Sequence, residues 1–222
     1  MGWYQIGQTW YYSNTAGVMQ TGWLRLGNTY YYLTPSGAMA TGWLYLGNTW
    51  YYLNTSGEMY VGWLHLGKTW YYLNGDGAML TGFRTINGQK YFLSGSGALY
   101  TGWGIVNNNW YYFTENGVAV GWAHINNTWY YLNASGIMLT GLQNINGQKY
   151  YLDNSGAMRT GWQYLNGKWY YFLDDGSAAS GWKYINGNWY YLNPNNNQMY
   201  ANAWTPDGYY VNGNGAWTGQ RK

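Results

Sequence analysis

Short apolar runs alternate with polar loops along this chain, and the alternation repeats with a fixed step. Residues Gly42 to Val61 read GWLYLGNTWYYLNTSGEMYV: an apolar run, a Gly-Asn pair, a second apolar run, then the polar loop Asn54-Thr55-Ser56-Gly57. The opening glycine recurs at Gly2, Gly22, Gly42, Gly62, Gly82, Gly102, Gly121, Gly141, Gly161 and Gly181. The step is 20 residues except between Gly102 and Gly121, where one residue is lost. A fixed period of this size marks a stacked array of small units, each too small to fold alone. The whole of 1–222 therefore reads as a single all-β repeat domain, with ten copies from residue 2 to about 200 and a truncated closing unit over 201–222.

Each copy predicts one β-hairpin. Counting from the residue after the opening glycine as position 0, position +3 is always aliphatic, from Ile6 and Leu26 to Ile185. Positions +4 and +5 carry pairs such as Asn87-Gly88, Asn146-Gly147, Asn166-Gly167 and Asn186-Gly187. Such a pair between two β-forming runs is the signature of a type I′ turn, in which both residues take positive φ. A two-residue turn sets +3 opposite +6, +2 opposite +7, +1 opposite +8 and 0 opposite +9. Side chains alternate between faces. In the third copy one face holds Trp43, Tyr45, Trp50 and Tyr52; the other holds Leu46, Tyr51 and Leu53. Position +10 is apolar in every copy but the first, where it is Ser13, so the face with +3 and +10 is the expected core. The tryptophan face is not needed for that core. It either packs on the next hairpin or borders a cage at the junction.

Composition sharpens the picture. The chain has 29 Tyr and 17 Trp among 222 residues, with only 8% charged residues and a net charge of +3. Lys and Arg are scattered, which argues against nucleic acid as a partner. There is no cysteine, so disulfides and thiolate metal sites are excluded. No apolar run approaches a membrane span. The repeat begins at Gly2 with no leader ahead of it, so the chain reads as a segment of a larger secreted protein. No catalytic constellation emerges and no cofactor is implied. The few acids, among them Glu58, Asp174, Asp175 and Asp207, lie mostly in the loops, where Asp-Asp pairs serve turns. His65 and His124 occupy the +2 slot that Tyr45 and Tyr164 fill elsewhere, and read as surface or junction residues.

The pattern Gly-Trp, five or six residues, Trp-Tyr-Tyr-Leu, then Gly-x-Met-x-Thr-Gly-Trp resembles the cell-wall-binding repeat of choline-binding modules in bacterial autolysins and surface proteins. Related repeats occur in glucan-binding regions of glucansucrases and in the tails of large clostridial toxins. The resemblance implies a β-solenoid of hairpins, a left-handed superhelix with about three hairpins per turn. It implies choline held between successive hairpins by two Trp of one repeat and an aromatic residue of the next, with a Met nearby. Carried onto this chain, the boxes would be Trp3, Trp10 and Tyr32; Trp23, Tyr30 and Tyr52; Trp43, Trp50 and Tyr72; and Trp63, Trp70 and Phe92. Further along they would be Trp103, Trp110 and Tyr131; Trp122, Trp129 and Tyr151; and Trp162, Trp169 and Tyr191, with a last one at Trp182 and Trp189 closed by Tyr209 or Tyr210. The neighbouring methionines are Met19, Met39, Met59, Met79, Met138 and Met158, for which gap-filling is the simpler role.

A quaternary ammonium cannot be hydrogen-bonded, so aromatic faces are its natural partner. Each contact contributes about 0.5–2 kcal/mol. A box worth roughly 4 kcal/mol binds at about millimolar. An array on a polymer that repeats the ligand gains about 10²–10⁴ in avidity. The expected partner is thus choline on teichoic or lipoteichoic acid at the bacterial cell surface. The expected role is to anchor a larger protein or autolysin there. The resemblance also admits a dimer, since some choline modules dimerise. An α-glucan or host-glycan module, and an adhesive repeat with no small ligand, are the alternatives. Two copies break the pattern. Phe83 with Lys90, and Leu142 with Lys149, replace the Trp pair, and a lysine there would repel a cationic ligand. Copies two, five and eight are weakened and lie three apart, which at three hairpins per turn predicts a non-binding stripe.

Overall fold

A computed structural model describes residues 1–222. The protein is built from β-strands, turns and loops, and no helix is long and apolar enough to cross a membrane. The chain divides into two compact units, residues 1–104 with 113–118 and residues 105–112 with 119–222.

The first unit carries the hairpins of repeats one to five. In the third, Gly42–Leu46 pairs with Thr49–Leu53 in the register Trp43↔Tyr52, Leu44↔Tyr51, Tyr45↔Trp50 and Leu46↔Thr49. The second unit repeats this design, for example in Gly141–Ile145 with Gln148–Leu152, where Leu142 faces Tyr151. The turns explain why the register is uniform. Gly47 and Asn48 both have positive φ (55° and 64°), as do Asn146 and Gly147 (51° and 83°), the backbone a type I′ turn requires; at Gly7-Gln8, Gly27-Asn28 and Gly67-Lys68 only the glycine does, so these two-residue turns are not type I′ yet keep the same register. A three-stranded closing sheet of Ala203–Trp204, Tyr209–Val211 and Trp217–Arg221 ends the second unit.

The core lies where the +10 positions were expected to put it. Leu33, Leu53, Leu73, Leu93, Leu132, Leu152 and Leu192 are fully buried, and Phe113 and Phe172 nearly so. The +3 side chains join them unevenly: Ile86, Ile125, Ile145 and Ile185 are buried, whereas Ile6 is exposed.

Two features recur from hairpin to hairpin. The +11 side chain organises the loop: Asn54 Oδ1 accepts from the Ser56 and Glu58 amides at 2.9 and 3.0 Å, and Asp153 does the same for Ser155 and Ala157. The residue at +16 then docks on the preceding hairpin. The Met79 amide donates to the Trp50 carbonyl at 2.8 Å, as Met39 does to Trp10 and Met59 to Tyr30. The methionine thioether in turn lies against a loop glycine of the following repeat. At Gly57, which has φ 80°, any Cβ would collide with the Met39 sulfur. Glycine suits the positive φ there, and any other residue would also have to push the thioether aside.

Candidate functional site

Positions 0 and +7 sit diagonally on one face of each hairpin, so their indoles meet at a corner. Trp43 and Trp50 have ring centroids 6.1 Å apart at 86°. The same right angle recurs in Trp63–Trp70, Trp122–Trp129 and Trp162–Trp169, at 6.2–6.4 Å. The third wall comes from the next repeat. Tyr71 meets Trp43 at 4.9 Å, Tyr91 meets Trp63 at 4.8 Å, Tyr150 meets Trp122 at 4.8 Å and Tyr190 meets Trp162 at 4.8 Å. The corner encloses a hollow. Trp43, Trp50, Tyr71, Met79 and Ser96 line about 250 Å³. Trp162, Trp169, Tyr190 and Met199 line about 340 Å³ with Gly213 and Asn214. Trp3, Trp10, Tyr31 and Met39 line about 410 Å³ with Thr55, Ser56 and Glu58.

This geometry moves the expected third wall by one residue. Tyr32, Tyr52, Tyr72 and Tyr191 do not close the preceding box; they pack edge-on against Trp23, Trp43, Trp63 and Trp182 of their own repeats, and Tyr131 packs in the same way on Trp122. Phe92 and Tyr151 pack against Phe113 and Phe172. The reason is alternation. Where Trp43 meets Tyr71 and Trp122 meets Tyr150, the front of one hairpin meets the back of the next. The wall must then come from the face that holds +8, not from the face that holds 0, +7 and +9. In the second repeat Trp23 meets Tyr51, and Arg25 stacks over Tyr30 at 5.5 Å. Trp103 and Trp110 fall in different units. Trp110 is 43% exposed and its carbonyl accepts the Met138 amide at 2.9 Å.

The +7 tryptophans stay open: their exposure runs only from 36% at Trp70 to 44% at Trp189. Behind them sit the +2 residues. Tyr45 tilts against Trp50 at 4.9 Å, and His65 and His124 stack on Trp70 and Trp129 at 4.4 and 4.7 Å. The histidines are therefore props for the indoles. Met39 lines the box of the first repeat and Met79 that of the third, in each case the repeat before its own, whereas Met19 has no repeat before it and is exposed. Met158 borders a more polar hollow with Trp129, Arg159 and Asp174. Met199 was missed in the sequence because the longer loop at 193–198 moves it out of step.

The two broken copies are filled by protein. At the fifth, Phe113 enters among Phe83, Phe92 and Tyr100, with centroids 5.7–6.1 Å apart. At the eighth, Lys149 Nζ donates to the Asn196 carbonyl at 2.8 Å. Tyr170, in the wall position, is buried and accepts from Gln198 at 3.2 Å, while Asn197 donates to the Ala178 and Ala179 carbonyls.

The acids do turn work. Asp175 accepts from the Ser177 hydroxyl and amide, and these bonds hold its carboxyl below the ordinary value. Burial would raise the Asp153 carboxyl, but bonds from Ser155, Arg159 and Ala157 outweigh it and leave it lowered. Tyr31 is shifted up, first by burial and then by the charge and hydrogen bond of Glu58.

Comparison with known proteins agrees with this architecture. A family profile described as "Choline-binding repeat" matches residues 1–42, 25–62, 80–120, 100–140, 119–158, 139–165 and 159–204. A second, "Putative cell wall binding repeat", matches 61–79. Among solved structures, choline binding protein F from Streptococcus pneumoniae is similar at 27% identity with a TM-score of 0.65, covering 98% of each chain. The same protein in the presence of a peptidoglycan analogue gives 26% identity and 0.64. The modular autolysin LytC from Streptococcus pneumoniae shares the fold at 24% identity and 0.53; the match covers 89% of this chain and 52% of LytC. No curated protein matches the sequence significantly.

Proposed function

The chain belongs to the choline-binding repeat family, and from that premise we propose that it is a non-catalytic module that holds choline of bacterial wall teichoic acids in its aromatic boxes. Each box consists of the 0 and +7 indoles of one repeat, the +8 tyrosine of the next, and that repeat's methionine. The observation that carries this reading is the open right-angled corner: Trp43 and Trp50 at 86°, closed by Tyr71 over a hollow of about 250 Å³. Indole and phenol faces offer negative potential on three sides, and a trimethylammonium needs no hydrogen bond there. Choline boxes repeated along one chain, on a polymer that repeats the ligand, provide retention at the cell surface through avidity. A larger surface protein or hydrolase carrying this segment would be anchored by it.

Tryptophan fluorescence of the chain titrated with choline and with dextran tests the reading. Saturable quenching or enhancement by choline, with no response to dextran, is the expected result. A dextran response without a choline response would assign the same faces to glucan stacking, and silence toward both would leave an adhesive repeat.

A further inference from the structure

The last box differs in kind from those of repeats three and nine, and we propose that it is a second class of site, one that accepts an ammonium bearing N–H groups, such as a protonated primary amine, as well as a methylated one. The proposal rests on the reading that the boxes hold ammonium groups. Trp182, Trp189, Tyr209, Trp217 and Asp207 line this hollow of about 310 Å³. Tyr209 is the third wall, 5.6 Å from Trp182 at 87°, and Trp217 adds a fourth ring 5.9 Å from Tyr209. No carboxylate lines the boxes of Trp43 and Trp162; at the box of Trp3, Glu58 reaches the rim, where it accepts from Asn54 and lies against the Tyr31 hydroxyl.

Asp207 is held in place from two sides. Its Oδ2 accepts from Trp182 Nε1 at 2.8 Å, and its Oδ1 accepts from the hydroxyl of buried Thr205 at 2.6 Å. A carboxylate offers about four acceptor positions, and the bonds from Thr205, Trp182 and its own backbone amide leave room for a further donor. Arg221 and Lys222 stack on Tyr209 and Trp204 at 5.4 and 5.1 Å but do not line the hollow. A primary ammonium carries three donors and is strongly hydrated. Aromatic faces alone leave those donors unpaired when water is stripped away, which is unfavourable. A carboxylate in the wall replaces one of the lost bonds with a charge-assisted one. A trimethylammonium has no such need and enters every box.

The test compares choline with 2-aminoethanol, which differ only in three N-methyl groups, using the indole N–H resonances of the full chain. The expected result is that 2-aminoethanol shifts Trp182 and Trp189 at about tenfold lower concentration than Trp43, Trp50, Trp162 and Trp169, as one charge-assisted bond would give. Asp207→Asn should abolish that preference while choline still shifts Trp182. Equal responses at all boxes, silence at Trp182, or an unchanged preference in Asp207→Asn would each overturn the proposal. Loss of both ligands in Asp207→Asn would also overturn it, because the carboxylate would then serve the shape of the box. If choline shifts no indole in the unaltered chain, the proposed function itself fails. If choline binds and 2-aminoethanol shows no preference, only this inference fails.

Discussion

The junctions after repeats three and eight start from the same hairpin, the same register and the same buried leucine, and end in opposite states. After repeat three, Trp43 and Trp50 meet at a right angle and leave a hollow against Tyr71 and Met79. After repeat eight, Leu142 and Lys149 stand at the same two positions, and Lys149 Nζ bonds to Asn196 in the loop of repeat ten. The Met position is Ala178, and Tyr170 at the wall is buried beneath Gln198. The lesson is that the scaffold and the box are separable. The +10 core and the two-residue turn build the hairpin whatever occupies 0 and +7. The choice of those two residues decides whether the junction is a cage or a seam. At the seam the protein supplies its own ammonium group and its own acceptor.

The largest expected effect tests the shared part. Leu53→Ala and Leu152→Ala should each cost about 2–5 kcal/mol, because both side chains are fully buried. Urea unfolding that found one repeat indifferent to the change would break the claim of a common core. Next comes conversion of a cage into a seam. Trp50→Lys should remove one choline site, with a loss of at least about tenfold in affinity there, since one cation–π contact is replaced by repulsion. Calorimetric stoichiometry reads it, and an undiminished site count would contradict the assignment of Trp50.

The converse change is smaller. Lys149→Ala removes a charge-assisted bond from a half-buried amine, an expected cost of roughly 1–2 kcal/mol. Hydrogen exchange should quicken at the amides of Asn193 and of 195–198 and stay unaltered around Met79. The smallest effect is on pH. Asp153 of repeat eight stands where repeat three has Asn54, and only the former titrates. Its folded pKa lies below the unfolded value of 3.8, so its contribution is present above that value and is lost as pH falls through the folded pKa. Between about pH 5 and about pH 2 the Ser155 amide should lose protection while the Ser56 amide keeps its own. Equal behaviour of the two would argue that the bonds from Ser155 and Arg159 do not set the Asp153 shift.

Much of this was legible from the chain because each inference was local. The Asn-Gly pairs demand a two-residue turn, the turn demands the register, and alternation then sorts Leu53 from Trp50. The third wall was not legible. Choosing between Tyr71 and Tyr72 requires knowing which face of one hairpin meets its neighbour, and no spacing within a repeat states that. Asp207 also escaped notice, as a loop acid among others, because its bond to Trp182 joins residues 25 apart across two different sheets.

By itself the sequence determined the unit: its hairpin, its turn, its core face, and the two positions where tryptophan or its replacement would stand. Those properties depend on the alternation of side chains along a strand and on the φ angles a turn permits, both readable over a few residues. Only the tertiary structure decided what closes the junctions described above: tyrosine +8 in front of the indoles, methionine from the next loop, Phe113 or Lys149 in the seams, and Asp207 bonded to the indole of the last box. Contacts between neighbouring hairpins depend on how whole faces meet, and that is set by packing between units rather than by the pattern inside one.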